Sequence, residues 1–143
     1  MMIAQKTSQL ITNRYELMDE IGAGGMGVVY RARDHLSQSD IALKSIAVNP
    51  LNLTFNSRTS DRRLNLALAR EFTTLARLRH PNIVSVLDFG FEKQPFFTMP
   101  LVSGAHKITD FSHELDWQTK KHLVLQMLYA LQYLHRHQIL HRA

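Results

Sequence analysis

Cysteine is absent from the 143-residue sequence, which excludes a disulfide-stapled scaffold and any thiolate metal or redox site. Long apolar runs are missing too, since none approaches the roughly 18 residues that a membrane-spanning helix needs. The opening residues, Met1 to Lys6, lack the basic region and apolar stretch of a secretory signal. We therefore expect a cytoplasmic protein without a membrane segment.

The composition is that of an ordinary globular domain, with 45% hydrophobic and 20% charged residues. The formal net charge is +5, and six arginines fall between residues 58 and 80. Aromatic residues do not interleave with them at spacings suited to stacking bases, so we expect a solvated helix face and no nucleic-acid partner. The eight histidines do not combine with an acid at ligand spacing, which predicts no metal site.

After a polar leader over residues 1–12, expected to be flexible, the periodicity predicts strands and helices. The strands are expected over residues 15–21, 28–33, 41–48, 83–87 and 95–99. A helix between the third and fourth strands, ending near Pro81, carries a stripe of Leu64, Leu68, Phe72, Leu75 and Leu78. A second helix begins at Asp116 as N-cap and has Leu123, Met127, Leu131 and Leu134 on one face. A five-stranded antiparallel sheet with one inserted helix is an α+β fold.

A glycine-rich segment follows the first predicted strand, with Gly22, Gly24 and Gly27 in a Gly-x-Gly-x-x-Gly pattern. Glycines let a backbone approach phosphate oxygens closely, although a glycine-rich hairpin without function fits the pattern too. A Walker loop requires Gly-Lys-Ser/Thr at its end, and a dinucleotide fold requires a helix directly after the glycines. Here Val28 follows Gly27, and the next residues predict a strand. Strand, glycines and strand, with Val29 in register, match the hairpin over ATP in protein kinases.

Further motifs in the same order resemble the protein kinase family. The segment Ile41-Ala42-Leu43-Lys44 is similar to its Val-Ala-Ile-Lys strand, and His80-Pro81-Asn82-Ile83-Val84 to the run after its first helix. Residues 99–104 stand at the hinge, and residues 134–142 resemble the approach to the His-Arg-Asp loop. The sequence is most similar to bacterial serine/threonine kinases. The resemblance implies an N-lobe and hinge over residues 13–103, and the start of a C-lobe over residues 104–143, truncated at the His-Arg-Asp loop.

The resemblance also implies the roles of individual residues, with ATP as cofactor. Lys44 would contact the α- and β-phosphates, and Glu71 would hold Lys44 by an ion pair; the alternatives are a surface lysine and a solvated carboxylate. Val29 and Ala42 would sandwich the adenine, and Met99 would guard the back of the pocket. The Pro100 carbonyl and the Val102 N–H would bind the edge of the base. The implied nucleotide-binding residues are Ile21, Gly22, Ala23, Gly24, Gly25, Met26, Gly27, Val28, Val29, Ala42, Lys44, Met99, Pro100 and Val102.

The groups that would complete catalysis do not match. Asp88-Phe89-Gly90 spells the family's magnesium motif but precedes the hinge, so we interpret it as a strand end and turn. Ala143 falls at the position of the catalytic aspartate, and the catalytic-loop asparagine has no counterpart. We therefore expect the chain to be a catalytically incompetent portion of a serine/threonine kinase, with Mg²⁺ and a protein substrate bound by the complete parent. A truncated gene product, a trimmed polypeptide and a frameshift remain open as origins.

Two other functions are compatible with the sequence. A pseudokinase-like regulatory module would bind nucleotide or a partner without catalysis. A basic nucleic-acid-binding domain would lose affinity steeply with salt. The second helix also predicts self-association through residues 116–137, because Trp117, Val124 and Leu128 widen its apolar stripe.

Overall fold

A computed structural model describes residues 9–24, 27–46, 70 and 72–140, and it confirms the predicted α+β class. The sheet order is β1-β2-β3-β4-β6-β5, and every neighbouring pair is antiparallel. The strands are β1 (Leu10–Ile11), β2 (Tyr15–Gly24), β3 (Gly27–Asp34), β4 (Ser39–Ile46), β5 (Asp88–Phe91) and β6 (Pro95–Pro100). The helices are α1, described at residues 70 and 72–76, α2 (Ile108–Phe111), a 3-10 turn (Ser112–Glu114) and α3 (Trp117–Arg136).

The chain divides into two compact units. The first contains the residues up to Arg77 together with Val86–Leu101, and therefore the whole sheet. The second contains Leu78–Ser85 and the residues from Val102 onward, and therefore α2 and α3. The short segment before β5 thus packs with the helices of the second unit.

The sheet differs from the prediction at two places. The strand β1 lies inside the predicted leader, so the described part of the sheet has six strands instead of five. The strand predicted over residues 83–87 is wrong: Ile83 forms only an isolated bridge with His80, and the strand begins at Asp88. The reason is a turn at residues 81–82, closed by the Ile83 N–H donating to the His80 carbonyl at 3.1 Å, with the Asn82 N–H donating to His80 Nδ1 at 3.1 Å. The β-branched run after the turn predicts a strand that local hydrogen bonding prevents.

The core of the first unit lies on one face of the sheet. The buried residues Tyr15, Ala32, Ile41, Leu43 and Phe96 form a single cluster, against which Ile11 and Leu17 pack. The ring of Tyr15 meets the ring of Phe96 edge-on, with centroids 5.8 Å apart. These residues alternate along their strands with residues of the opposite face, as a half-buried strand requires.

A charged network joins strands that are distant in the sheet order. Arg14 donates from Nε and Nη2 to the two carboxylate oxygens of Asp34, at 2.8 and 2.9 Å, and from Nη1 to Asp88 at 2.7 Å. The Tyr15 hydroxyl donates to the same Asp88 oxygen at 2.8 Å. Asp34 is buried and also accepts from Leu36 N and Ser37 Oγ. Because β5 is at the far edge from β2, these bonds hold the sheet in a curled form.

Replacing Asp34 with Ala is expected to destabilise the protein by about 3 kcal/mol, since it removes one partner of a largely buried ion pair. Urea unfolding measures the change. Asp40→Ala is the matched control, because the Arg33–Asp40 pair at 2.9 Å is solvent-exposed and such pairs contribute at most about 1 kcal/mol. Equal losses in the two variants would contradict this role for Asp34.

The effect of Asp34 also depends on pH. Hydrogen bonds from Arg14 hold the pKa of this carboxyl well below its usual range. Since the folded-state pKa is lowered, ionised Asp34 stabilises the fold fully above its unfolded pKa of about 3.9. That stabilisation is lost as the pH falls from there through the folded-state pKa. The difference in unfolding midpoint between wild type and Asp34→Ala is therefore expected to be largest at neutral pH and to shrink in acid.

The helix α3 begins where the sequence predicts. Asp116 accepts from the Thr119 N–H at 2.9 Å and from the Thr119 hydroxyl at 2.7 Å, and the first of these bonds lowers the pKa of Asp116. The helix ends at Arg136, and the His137 N–H donates back to the Leu134 carbonyl at 2.9 Å. Among the described helices, none combines the length and apolar character needed to cross a membrane.

Candidate functional site

Four of the predicted site residues share one face of three adjacent strands. Val29 in β3 lies directly opposite Lys44 in β4, and Ala42 in β4 lies directly opposite Met99 in β6. Directly opposed residues of antiparallel strands present their side chains on the same face, as do residues two apart in one strand. The structure therefore brings Val29, Ala42, Lys44 and Met99 together, on the face opposite the Leu43 core.

The glycine segment is the end of the β2–β3 hairpin. Gly22 pairs with Val29, Ala23 with Val28, and Gly24 with Gly27, and irregularities in register precede Gly22. Gly25 and Met26, between the last pair, lie outside the described residues. A strand follows the glycines directly, so this segment is neither a Walker loop nor the start of a dinucleotide-binding helix. Ile21, at the base of the segment, is about half exposed.

The glycines of this hairpin differ in whether the backbone conformation requires glycine. Gly27 has φ of 127°, a backbone conformation that residues other than glycine rarely adopt. At Gly22 and Gly24, by contrast, a Cβ atom would meet nothing within 4 Å. The fold itself therefore does not require these two glycines, and they leave an open backbone surface beside the Lys44 face. Such a surface suits the close approach of a phosphate group.

Gly24→Ala is accordingly expected to leave the free energy of unfolding unchanged or slightly raised, as glycine is unfavourable within strands. Gly90→Ala is the matched comparison, because a Cβ there would lie 2.7 Å from the buried ring of Phe96. Overpacking of this kind costs about 1–3 kcal/mol. Urea unfolding of both variants measures the contrast, and a destabilised Gly24→Ala would show that the fold needs this glycine.

Lys44 is half-buried beside an aromatic cluster. Its ammonium lies 6.0 Å from the centroid of the Phe97 ring. Phe72, the buried aromatic of α1, stacks on Phe89 at 5.5 Å and contacts Phe97 at 5.6 Å. Because Phe97 lies directly opposite Lys44, α1 covers part of the Lys44 face. The predicted partner of Lys44, Glu71, lies outside the described residues, and within those residues Lys44 forms no ion pair.

This aromatic cluster was not predicted from the sequence as a unit. Phe72 was predicted to lie on the apolar stripe of its helix, but nothing in the pattern paired that stripe with Phe89 and Phe97. The spacing of aromatic residues along the two predicted strands was the available signal. It became informative only with the β5–β6 register, in which Phe89 lies opposite Phe97.

The predicted hinge begins at the end of the sheet. Pro100 is the last residue of β6, pairs with Ile41 and is exposed. As a proline it has no N–H to donate, but its carbonyl can accept. Val102 belongs to the second unit and is 57% exposed. A turn at residues 103–104 follows, in which Gly104 has φ of 67°.

Asp88 has a structural role. It is the first residue of β5, and Asp88, Phe89 and Gly90 all belong to that strand, so the interpretation of this sequence as a strand end and turn is wrong. Its register partner is Thr98, which lies opposite Leu43, so it is on the other face of the sheet from Lys44. Its carboxylate accepts from Arg14 and Tyr15, and burial together with this bond raises the pKa of Tyr15. Tyr15 therefore remains a protonated donor, and the Asp88 carboxylate does not share a face of the sheet with Lys44.

Comparison with known proteins identifies the family to which this chain belongs. A family model described as the protein kinase domain matches residues 15–143. The chain therefore belongs to the protein kinase family, and its sheet and helices fit a kinase N-lobe followed by the start of the C-lobe.

Three relatives illustrate the similarity. The DNA damage-responsive serine/threonine-protein kinase RqkA of Deinococcus radiodurans is 44% identical over 98 residues, which cover 66% of this chain and 13% of that protein. Human cyclin-dependent kinase 10 is 35% identical over 136 residues, which cover 90% of this chain and 34% of that protein. The serine/threonine-protein kinase D1044.8 of Caenorhabditis elegans is 34% identical over 138 residues, which cover 90% of this chain and 14% of that protein. The chain thus spans about a third or less of the length of these relatives.

Proposed function

We propose that the first compact unit carries the ATP-binding portion of a serine/threonine protein kinase. The whole protein would transfer the γ-phosphoryl group of Mg-ATP to hydroxyl groups of a protein substrate. The observation that carries the proposal is the shared face of Val29, Ala42, Lys44 and Met99, beside a hairpin whose Gly22 and Gly24 leave open space. Residues 13–103 would form the N-lobe and hinge, and residues 104–143 the start of the C-lobe.

The chemistry of this face suits each part of ATP. Val29 and the short side chain of Ala42 offer apolar contacts for the two sides of a flat base. The hairpin backbone near Gly22 and Gly24 would receive the phosphates, and Lys44 supplies a compact positive charge for them. Phosphoryl transfer depends mostly on such positioning and charge stabilisation.

The remaining roles in the proposed nucleotide site belong to Met99, Pro100, Val102 and Glu71. Met99 would close the back of the pocket, and the Pro100 carbonyl and Val102 N–H would bind the edge of the base. Glu71 would hold Lys44 in place by an ion pair.

We assign Mg²⁺ binding to the complete parent. Within the described ranges, no group of three His, Asp or Glu side chains comes together as metal ligands. Asp88, in the sequence that imitates the metal motif, bonds to Arg14 and Tyr15 instead. The nucleotide site of this chain is therefore expected to bind ATP weakly and with little dependence on magnesium.

The remaining assignments follow from the family. The names of the relatives favour serine and threonine as acceptors, and a protein as substrate. We propose a cytoplasmic location, where ATP is the common phosphoryl donor, and no nucleic-acid partner.

Replacing Lys44 with Met tests the nucleotide site. Loss of hydrogen bonds from a charged donor to phosphate is expected to weaken ATP binding roughly tenfold to a hundredfold, or about 1.5–3 kcal/mol. Lys93→Met is the matched control, because Lys93 is exposed in the β5–β6 turn. Titration of a fluorescent ATP analogue measures both. Equal affinity in wild type and Lys44→Met would contradict the proposed role of this face.

A further inference from the structure

A cavity opens on the core face of the sheet, opposite the Lys44 face. Its volume is about 340 Å³, and its lining includes Leu43 and Ser45 of β4. Lys44 lies between these two residues in the same strand, so its side chain projects to the other side of the sheet. The volume is within the roughly 300–1,000 Å³ range of small-molecule pockets.

The cavity has an apolar floor and a polar rim. Leu43 and Phe96 are buried at its floor, with Leu17 and Tyr30 at its sides. Ser45 lies directly opposite Phe96, and its small side chain leaves the space unfilled. At the rim the Ser45 hydroxyl donates to Gln94 Oε1 at 3.1 Å.

The charges at the rim have opposite signs. Glu92 and Lys93 are neighbours in the turn that lines the cavity. Their formal charges cancel, so the rim favours neither an anion nor a cation. Gln94 and Gln9 add amide groups, which both donate and accept.

The strand β1 forms part of one wall of this cavity. The turn that connects β1 to β2 has an unfavourable backbone conformation. Gln9 and Ile11 line the cavity, and the Leu17 N–H donates to the Gln9 carbonyl at 2.9 Å. The chain reverses through Thr12 and Asn13, which have φ of 52° and 56°. A β-branched residue rarely adopts this left-handed conformation, which persists only where surrounding contacts outweigh its cost. The wall is therefore a specific feature of the fold.

We propose that this cavity is a second binding site, for a small aromatic molecule with an uncharged hydrogen-bonding head group. The aromatic body would lie between Tyr30 and Phe96 on the apolar floor. The head group would reach the amide of Gln94 at the rim. This site is separate from the proposed nucleotide site, because its residues lie on the other face of β4.

Titration of the full chain with indole, followed by two-dimensional ¹H–¹⁵N NMR, tests the site. Indole has an aromatic body and one uncharged N–H donor. Saturable shifts are expected at Ile11, Leu17 and Tyr30. Ser45→Phe, which fills the cavity, is expected to abolish them, and Ser103→Phe, at an exposed turn, is expected to leave them unchanged. Gln94→Trp fills the mouth from an exposed position, and is expected to abolish the shifts even if Ser45→Phe fails to fold.

Three results would overturn the assignment. The first is the absence of saturable shifts in wild type, and the second is their persistence in Gln94→Trp. The third is tighter binding of benzoate than of indole, which would contradict an uncharged head group. Retention of indole binding in Lys44→Met is expected, and keeps this test independent of the nucleotide site.

Discussion

A polypeptide of these 143 residues is expected to transfer no phosphoryl group from Mg-ATP to a generic protein substrate above the uncatalysed rate. Ala143 stands at the position that resembles the family's catalytic aspartate. Absence of a general base alone typically costs about 10²–10⁴-fold in rate. The loss is expected to exceed this, because the metal-binding motif and catalytic-loop asparagine have no counterpart in the sequence, and Asp88 faces away from Lys44.

Transfer of radiolabelled phosphate to a basic protein substrate measures this activity, with Lys44→Met as the control. No difference between wild type and Lys44→Met is the predicted result. Turnover that disappears in Lys44→Met would contradict it, and would mean that other groups supply the missing functions. Nucleotide binding without any turnover would be the behaviour of a pseudokinase-like module.

The second large effect concerns association of the polypeptide with itself through residues 116–137. Trp117, Val124 and Leu128 lie on one side of α3 and are 74%, 53% and 52% exposed. Burial of each large apolar side chain contributes roughly 1.5–3 kcal/mol, and contiguous exposed apolar surface promotes association. The predicted stripe itself is partly covered, since Leu134 is buried and Leu123 and Leu131 are half-buried. Trp117, Val124 and Leu128 are therefore expected to contribute more to self-association than the predicted stripe.

Sedimentation velocity of the triple variant Trp117→Gln, Val124→Gln and Leu128→Gln measures the effect. The variant is expected to be monomeric at concentrations where wild type assembles. Leu36→Gln is the control, because Leu36 is 75% exposed but lies in the β3–β4 turn of the other unit. Since α3 carries Lys120, Lys121 and Arg136 and no acidic residue, association is also expected to increase with salt. A monomeric wild type, or dispersal by Leu36→Gln alone, would contradict the prediction.

Local pattern was enough to predict the strands that carry Val29, Ala42 and Lys44. The alternation around Lys44 placed it with Ala42, and the strand after Gly27 identified the hairpin, because both signals depend only on adjacent residues. Asp116 was found for the same reason, as an N-cap acts within one helical turn.

Features that depend on distant contacts were not predicted. The run from Ile83 to Leu87 has strand composition, but the turn at His80 and the packing of residues 78–85 in the second unit determine its conformation. The bonds of Arg14 to Asp34 and Asp88 span 20 and 74 positions in sequence. No local sequence pattern identifies the partners of Arg14. For the same reason, the sequence alone did not predict the pairing with β2 that makes β1 a strand.

Covalent labelling with an acyl-phosphate derivative of ATP tests the central claim most directly, because it acylates the lysine that lies nearest the bound phosphates. Peptide mass spectrometry is predicted to find Lys44 as the preferred site, ahead of the exposed Lys93, Lys107 and Lys121. Excess unlabelled ATP is predicted to suppress the labelling of Lys44 alone. Even labelling of all four lysines, or labelling of Lys44 that ATP does not suppress, would contradict the assignment of this face as the nucleotide site.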